Sequence, residues 1–215
     1  MAAKPLFLHL LLPLLAVATA LLLLPEISSV DAACSRKNAT DFIRTSCSST
    51  LYPDLCYTSL SRYAHYVRRS PGKLARVAIA VSLSKANRTS FYLSQLSRQA
   101  VTGGDQGAAA VLEDCLSTFG DAVDQMRSSM REMRRPRPNS RESFAYRMSN
   151  VQTWMSAALT NEDTCTDEFE DVPDGPVKSD VCNRVEYATK FTSNALALVN
   201  SYVASVTNAT PCRLD

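Results

Sequence analysis

The stretch that decides the fold is residues 108–133, which read AAAVLEDCLSTFGDAVDQMRSSMREM. Small and apolar side chains recur in it by steps of four and three, at Ala108, Leu112, Cys115, Phe119, Ala122, Met126, Ser129 and Met133. Because an α-helix turns once in 3.6 residues, this spacing places one such side chain per turn along a single stripe. The stretch therefore predicts a long helix that packs one face against neighbouring elements.

Three further stretches carry the same period and predict three more long helices. Their stripes begin at Ile79, Phe144 and Val181 and continue through Ala100, Ala158 and Val206 respectively. The breaks between the four stretches are TGGDQG (102–107), RRPRPNS (134–140) and VPDGP (172–176), which are rich in the helix-breaking residues glycine and proline. Long helices joined by short turns lie antiparallel to their neighbours. The sequence thus predicts an all-α fold, an up-down-up-down four-helix bundle over about residues 71–206.

Residues 40–61 precede the bundle and have a different pattern. Two short helical pieces, Asp41–Cys47 and Pro53–Ser61, flank the segment SSTLYP. Neither piece is long enough to be stable in isolation. A bridge between Cys47 and Cys56 would hold them as a small helical hairpin and contribute about 2–3 kcal/mol.

The first 32 residues have the composition of a secretory signal peptide. Lys4 is followed by an apolar run from Leu6 to Leu24, and small residues lead to a cleavage point after Ala32. The alternative, a membrane anchor, is disfavoured by Pro13 and by the short distance to a cysteine-bearing domain. We therefore expect a secreted protein of residues 33–215 that has no membrane segment after cleavage.

The charge of the mature chain favours no particular partner. Removing Lys4, Glu26 and Asp31 from 23 basic and 21 acidic residues leaves a net charge of +3. The cations are dispersed along the chain, which argues against a nucleic-acid-binding protein. Six arginines gather around the end of the second long helix: Arg127, Arg131, Arg134, Arg135, Arg137 and Arg141. We interpret them first as complements of the helix dipole, and second as a patch for an anionic polysaccharide or an acidic protein surface.

Cysteines and sequons agree with a secreted protein. The mature chain keeps seven cysteines: Cys34, Cys47, Cys56, Cys115, Cys165, Cys182 and Cys212. In an oxidising compartment these predict disulfides first and reactive thiols second, and their odd number leaves one unpaired. Three N-glycosylation sequons lie at Asn38, Asn87 and Asn208.

The residues needed for catalysis or for metal and cofactor binding are scarce. His65 is the only histidine of the mature chain and is expected on an exposed helix end, so neither a catalytic triad nor a zinc site has enough candidates. Glu162–Asp174 is acidic, but it lacks the spacing of a calcium loop and is interrupted by Cys165. We interpret it as a solvated loop between helices, and Trp154 as part of the core. The sequence predicts no enzyme, no cofactor and no metal site.

Four blocks of sequence together resemble a known family. They are CSSTLYPDLC (47–56), VLEDCLSTFGDAVDQM (111–126), SNVQTWMSAALTNEDTCTDEF (149–169) and TSNALALVNSY (192–202). These blocks resemble the characteristic segments of plant invertase and pectin methylesterase inhibitors, over roughly Thr40 to Val206. The resemblance implies an inhibitor with no catalytic activity of its own.

The resemblance also implies two disulfides, Cys47–Cys56 and Cys115–Cys165. The second would join adjacent antiparallel helices across a loop of about 50 residues, with an expected gain of about 4 kcal/mol. A further bridge between Cys34 and Cys212 would connect the two ends of the domain. Cys182 would then remain as a free thiol.

The target enzyme is expected to be pectin methylesterase. Invertase inhibitors resemble this chain but often carry a Pro-Lys-Phe element between the second and third bundle helices, where this chain reads RRPRPNSRESFAYR (134–147). The TWMSAALTNEDTC block is also more similar to the pectin methylesterase side of the family. Inhibition of acid invertase is the alternative. A non-inhibitory interaction module is a third hypothesis, disfavoured as part of a precursor enzyme because no catalytic domain follows in the sequence to Asp215.

The resemblance implies a mechanism of occlusion, in which helices cover the pectin cleft of the enzyme in a 1:1 complex in the cell wall. A rigid helical face suits this role because little conformational entropy is lost on docking. The implied contact face lies on the second to fourth long helices, and the candidate contact residues are the polar positions Asp121, Asp124, Gln125, Asn150, Gln152 and Thr153.

Overall fold

The computed structural model of the protein describes residues 38–136 and 138–208. It begins with a short helical unit. Helix α1 (38–47) and helix α2 (Pro53–Leu60) are joined by a turn, and a 3₁₀ turn (Ser61–Tyr63) leads to a short helix α3 (Ala64–Val67). A disulfide joins Cys47 at the end of α1 to Cys56 in α2, and both sulfur-bearing side chains are buried. The predicted disulfide-clamped hairpin is confirmed.

Four long helices follow; the first two breaks between them match the predicted segments, whereas the third long helix continues into the acidic segment and ends at Asp167. The four helices are α4 (Pro71–Gly103), α5 (Gln106–Arg134), α6 (Arg141–Asp167) and α7 (Pro176–Thr207). Helix α4 ends because Gly104 adopts a left-handed conformation (φ 78°), which a glycine accepts without a steric penalty.

Side chains also mark the helix starts. The side chains of Ser70, Asp105 and Ser140 cap α4, α5 and α6 by accepting hydrogen bonds from backbone N–H groups three residues on. Such caps satisfy donors that have no partner inside the helix.

The long helices pack as an antiparallel square. Helix α4 contacts α5 and α7, and α6 contacts the same two helices from the opposite corner. The core between them holds Leu93, Phe119, Met126, Met155 and Val199, which are all fully buried. The predicted up-down-up-down bundle is confirmed, and no strand occurs in the described residues.

The hairpin packs its apolar side chains against the bundle core, and one buried side chain adds hydrogen bonds to this contact. Asn194 of α7 accepts a hydrogen bond of 3.1 Å from the Tyr52 backbone N–H and donates one of 2.9 Å to the Tyr52 carbonyl oxygen. Because Asn194 is buried, this paired contact fixes the α1–α2 turn against the core.

Two interpretations of the sequence are wrong. The acidic segment is not a loop from its start: Glu162, Asp163 and Asp167 belong to α6, and Glu162 is fully buried. Trp154 is not a core residue, since it is only half-buried on α6 and lies outside the set of side chains that form or line the core.

Several predicted features fall outside the described residues. The signal peptide (1–32), Cys34 and Cys212 all lie there. Among the residues that the structure does describe, no helix combines the length and the apolar character needed to cross a membrane.

Candidate binding surface

The six candidate contact residues lie on α5 and α6, and we call this set the α6 surface: Asp121, Asp124, Gln125, Asn150, Gln152 and Thr153. Helix α6 is at its centre because α6 packs between α5 and α7. Asp121, Asp124 and Thr153 are exposed, whereas Gln125, Asn150 and Gln152 are half-buried. The set therefore combines exposed and half-buried polar groups.

Two hydrogen bonds link α6 to its neighbours within this surface. Asn161 Nδ2 of α6 donates to Gln125 Oε1 of α5 over 3.3 Å. Gln152 Nε2 of α6 donates to Asn200 Oδ1 of α7 over 2.8 Å. Gln125 and Gln152 thus occupy two different grooves on either side of α6, and Thr153 is exposed on the helix between them.

Asp124 belongs to a hydrogen-bonded chain that runs toward α4. Arg127 Nη1 donates to Asp124 Oδ1 over 2.7 Å, and Arg127 Nη2 donates to Asn87 Oδ1 over 2.9 Å. Both charged side chains are at least half exposed, so the pair is screened by solvent. Asp121 is the carboxylate of the α6 surface that forms no ion pair with a described residue.

Two strong connections hold α5 and α6 rigidly together. A disulfide joins Cys115 to Cys165, which are both fully buried. Near the opposite end of the helices, Arg147 Nε donates to Glu132 Oε1 over 2.7 Å, and Arg147 also donates to the carbonyl oxygens of Glu132 and Pro136. The α6 surface lies between these connections, so its backbone is constrained at both ends.

Glu132 remains ionised despite its burial. Burial alone would raise the pKa of Glu132, but hydrogen bonds from Arg135 and Arg147 outweigh this effect and hold the pKa below its ordinary value. The pair with Arg147 is mostly buried on both sides, with 15% and 12% of the side chains exposed. It is therefore an interior ion pair, in which each charged side chain compensates the charge of the other in a place with little access to water.

Glu162 lies beneath the α6 surface in the core and is the most perturbed group described. Burial raises the pKa of Glu162 to about 8, helped by the nearby charge of Asp163 and opposed by the Thr192 hydroxyl of α7. Neither of its oxygens forms a hydrogen bond with a described residue. The carboxyl group is consequently neutral under acidic and neutral conditions.

Trp154 is a further candidate for this surface that was not among the predicted contact residues. Its indole is half-buried on α6, next to Thr153. Tryptophan is enriched among the residues that dominate binding energy in protein interfaces. Its position immediately before Met155 places it off the buried stripe of α6, and this was the signal that it is not a core residue.

Metal-binding constellations do not occur among the described residues. His65 is exposed on α3, as expected. Within these same ranges, histidine, cysteine, aspartate and glutamate form no group of three or more that could hold a metal ion.

The sequons lie near the two ends of the described chain and on α4, and Cys182 lies on α7. Asn38 and Asn208 are exposed near the two ends of the described chain. Asn87 is half-buried on α4, and its Nδ2 donates to the Leu83 carbonyl oxygen over 2.8 Å. Cys182 is half-buried on α7 without a disulfide. Burial raises the pKa of the Cys182 thiol, which lowers its reactivity.

Comparisons with known proteins agree with this architecture. A family model described as plant invertase/pectin methylesterase inhibitor matches residues 41–198. Pectinesterase inhibitor 11 of Arabidopsis thaliana is 39% identical over 202 residues, which cover 93% of this chain and 98% of that protein. The 21 kDa protein of Daucus carota is 40% identical over 174 residues, covering 80% and 89%.

Solved structures match the fold. The crystal structure of a mutant form of a pectin methylesterase inhibitor from Arabidopsis superposes with a TM-score of 0.55 at 19% identity, covering 72% of this chain and 92% of that chain. At this identity the likeness concerns the fold alone. The family match and the two relatives extend over most of the sequence, and the family is one of inhibitors rather than enzymes. The protein therefore belongs to the plant invertase/pectin methylesterase inhibitor family.

Proposed function

We propose that the protein is a secreted inhibitor of pectin methylesterase, which forms a 1:1 complex with the enzyme and covers its active-site cleft with the α6 surface. In this role it controls the removal of methyl esters from pectin in the plant cell wall. The relatives named pectinesterase inhibitors support the choice of target. The expected signal peptide and sequons support action outside the cell.

The observation that carries the proposal is the rigidity of the α6 surface. The disulfide Cys115–Cys165 and the Arg147–Glu132 pair constrain α5 against α6, and Gln152–Asn200 connects α6 to α7. A surface that is already ordered loses little conformational entropy when it docks, so more of the contact energy appears as affinity. The half-buried Trp154, next to the exposed Thr153, supplies a large apolar contact on α6.

A titration tests the target and the stoichiometry together. The mature oxidised protein is added to pectin methylesterase and, separately, to acid invertase at mildly acidic pH. Loss of methanol release at a near-equimolar ratio is the expected result. Loss of sucrose cleavage alone would favour the invertase alternative, and the absence of any effect on both enzymes would overturn the proposal.

A pair of variants tests the surface. Thr153→Arg places a long charged side chain on the exposed part of α6. Gln99→Arg makes a matched change on exposed α4, the helix diagonally opposite α6. We expect Thr153→Arg to weaken inhibition at least about tenfold, since one misplaced charge in an interface costs more than 1 kcal/mol. Gln99→Arg is expected to inhibit like the unmodified protein. Equal effects of the two variants would contradict the assignment of the α6 surface.

A further inference from the structure

The charges of the bundle are separated along its axis. The antiparallel topology brings together the start of α4, the end of α5, the start of α6 and the end of α7. Described residues in the ranges 68–76, 131–147 and 201–208 include nine cations and two acids. At the opposite end, the ranges 98–114 and 163–178 hold nine acids and two cations. The first end, which we call the basic end, therefore has a positive potential that the net charge of the chain conceals.

A cavity of about 380 Å³ opens at the basic end. Lys73, Arg76 and Arg135 line it together with Phe144 and Tyr202. The Tyr202 ring packs edge-on against Phe144 at 5.4 Å and lies so close to α4 that a Cβ on Gly72 would be 2.9 Å from its Cζ atom. The cavity thus combines an aromatic wall with several cations, the pattern of a pocket that orients a ligand by a few polar groups.

Two of these cations have no carboxylate partner. Lys73 Nζ and Arg76 Cζ lie 5.4 Å and 5.3 Å from the ring centre of the exposed Tyr66, and neither cation forms an ion pair with a described residue. Arg135 and Arg147, by contrast, are bound to Glu132. An anion bound at the cavity would give both cations the carboxylate partner that they lack among the described residues. The start of α4 adds the positive end of a helix dipole.

We propose that the basic end binds a carboxylated polysaccharide, the de-esterified form of pectin. Lys73 and Arg76 hold its carboxylates, and the half-buried Tyr202 offers an apolar contact to a sugar ring. The choice of this polyanion rests on the proposed function, because pectin methylesterase converts neutral methyl esters of pectin into carboxylates. The basic end shares no residue with the α6 surface, so the protein can be held on the enzyme's product while the α6 surface remains free.

The binding experiment needs no enzyme and therefore fails or succeeds independently of inhibition. The mature protein is titrated with a de-esterified galacturonic acid oligomer and with its fully methyl-esterified counterpart of equal length. The titration is done at low ionic strength and about pH 5.5, where carboxylates are ionised. We expect binding of the de-esterified oligomer that weakens with added salt, and at least about tenfold weaker binding of the methyl ester.

Two double variants identify the site. Lys73→Gln with Arg76→Gln removes the unpaired cations, and Arg88→Gln with Arg98→Gln removes two exposed cations of the same helix away from the basic end. We expect the first pair to weaken binding about tenfold and to retain inhibition, and the second to change binding less than about twofold. Circular dichroism verifies that both pairs are folded. Equal loss in the two pairs, equal binding of the methyl ester, or tighter binding of a DNA oligonucleotide would each overturn the proposal.

Discussion

Arg147 of α6 and Glu132 of α5 form an interior ion pair, with 2.7 Å between Nε and Oε1 and little exposure of either side chain. We expect Arg147→Met to lower the free energy of unfolding by about 1.5–3 kcal/mol, because it removes the hydrogen bonds between Arg147 and Glu132 and leaves Arg135 as the remaining partner of the carboxylate. Arg127→Met is the matched control, since its pair with Asp124 is exposed and worth less than about 1 kcal/mol. Urea denaturation measures the free energy of unfolding of both variants. A loss of similar size in the two would argue that the Arg147–Glu132 pair contributes no more than an exposed ion pair.

Glu162 is expected to make the stability of the protein fall as the pH rises. Its pKa is about 8 in the folded protein and 4.5 in its ordinary environment, so the folded state binds the proton more tightly than the unfolded state. The contribution of this proton to the free energy of unfolding is fully present below about pH 4.5 and is lost progressively as the pH rises to about 8. From a difference of this size we expect a loss of roughly 3–4 kcal/mol between about pH 5 and about pH 8.

The variant Glu162→Gln isolates this effect. The amide has nearly the same shape but no proton to lose, so the pH dependence over this range should become much flatter. Glu168→Gln, an exposed position just beyond α6, should keep the slope of the unmodified protein. Thermal unfolding at a series of pH values distinguishes the two. An unchanged slope in Glu162→Gln would show that another group causes it.

The sequence predicts the helices better than it predicts the surface. The stripe of residues 108–133 and the breaks at 102–107 and 134–140 depend on local geometry, which the order of residues contains directly. The burial of Glu162 was also readable, because the α6 stripe ending at Ala158 continues by steps of four and three to Glu162 and Cys165. Its place in an acidic run favoured a loop instead. That Gln125 and Gln152 lie in different grooves depends on the packing of three helices, which periodicity alone does not contain.

Removing the Cys115–Cys165 bridge is expected to cost more stability than removing Cys47–Cys56. The two cysteines are 50 residues apart in the Cys115–Cys165 bridge and 9 residues apart in the Cys47–Cys56 bridge. Loop-closure entropy then predicts losses of about 4 and about 2.6 kcal/mol for the two paired Cys→Ala replacements. Urea denaturation of the two double variants measures the difference. The reverse order would mean that strain or residual structure outweighs the entropy of the unfolded chain.

Asn194 is expected to control how firmly the α1–α2 hairpin is held on the bundle. In Asn194→Ala the Tyr52 backbone N–H and carbonyl oxygen lose their hydrogen bonds to α7, at a cost of about 1–3 kcal/mol. Because the four long helices have their own core, the loss should appear as faster amide hydrogen exchange in residues 38–60, while the middle of α5 stays protected. Asn200→Ala removes an exposed hydrogen bond of the same helix and should leave exchange in the hairpin unchanged. Uniformly faster exchange throughout Asn194→Ala would instead mean that the hairpin and the bundle unfold as one cooperative unit.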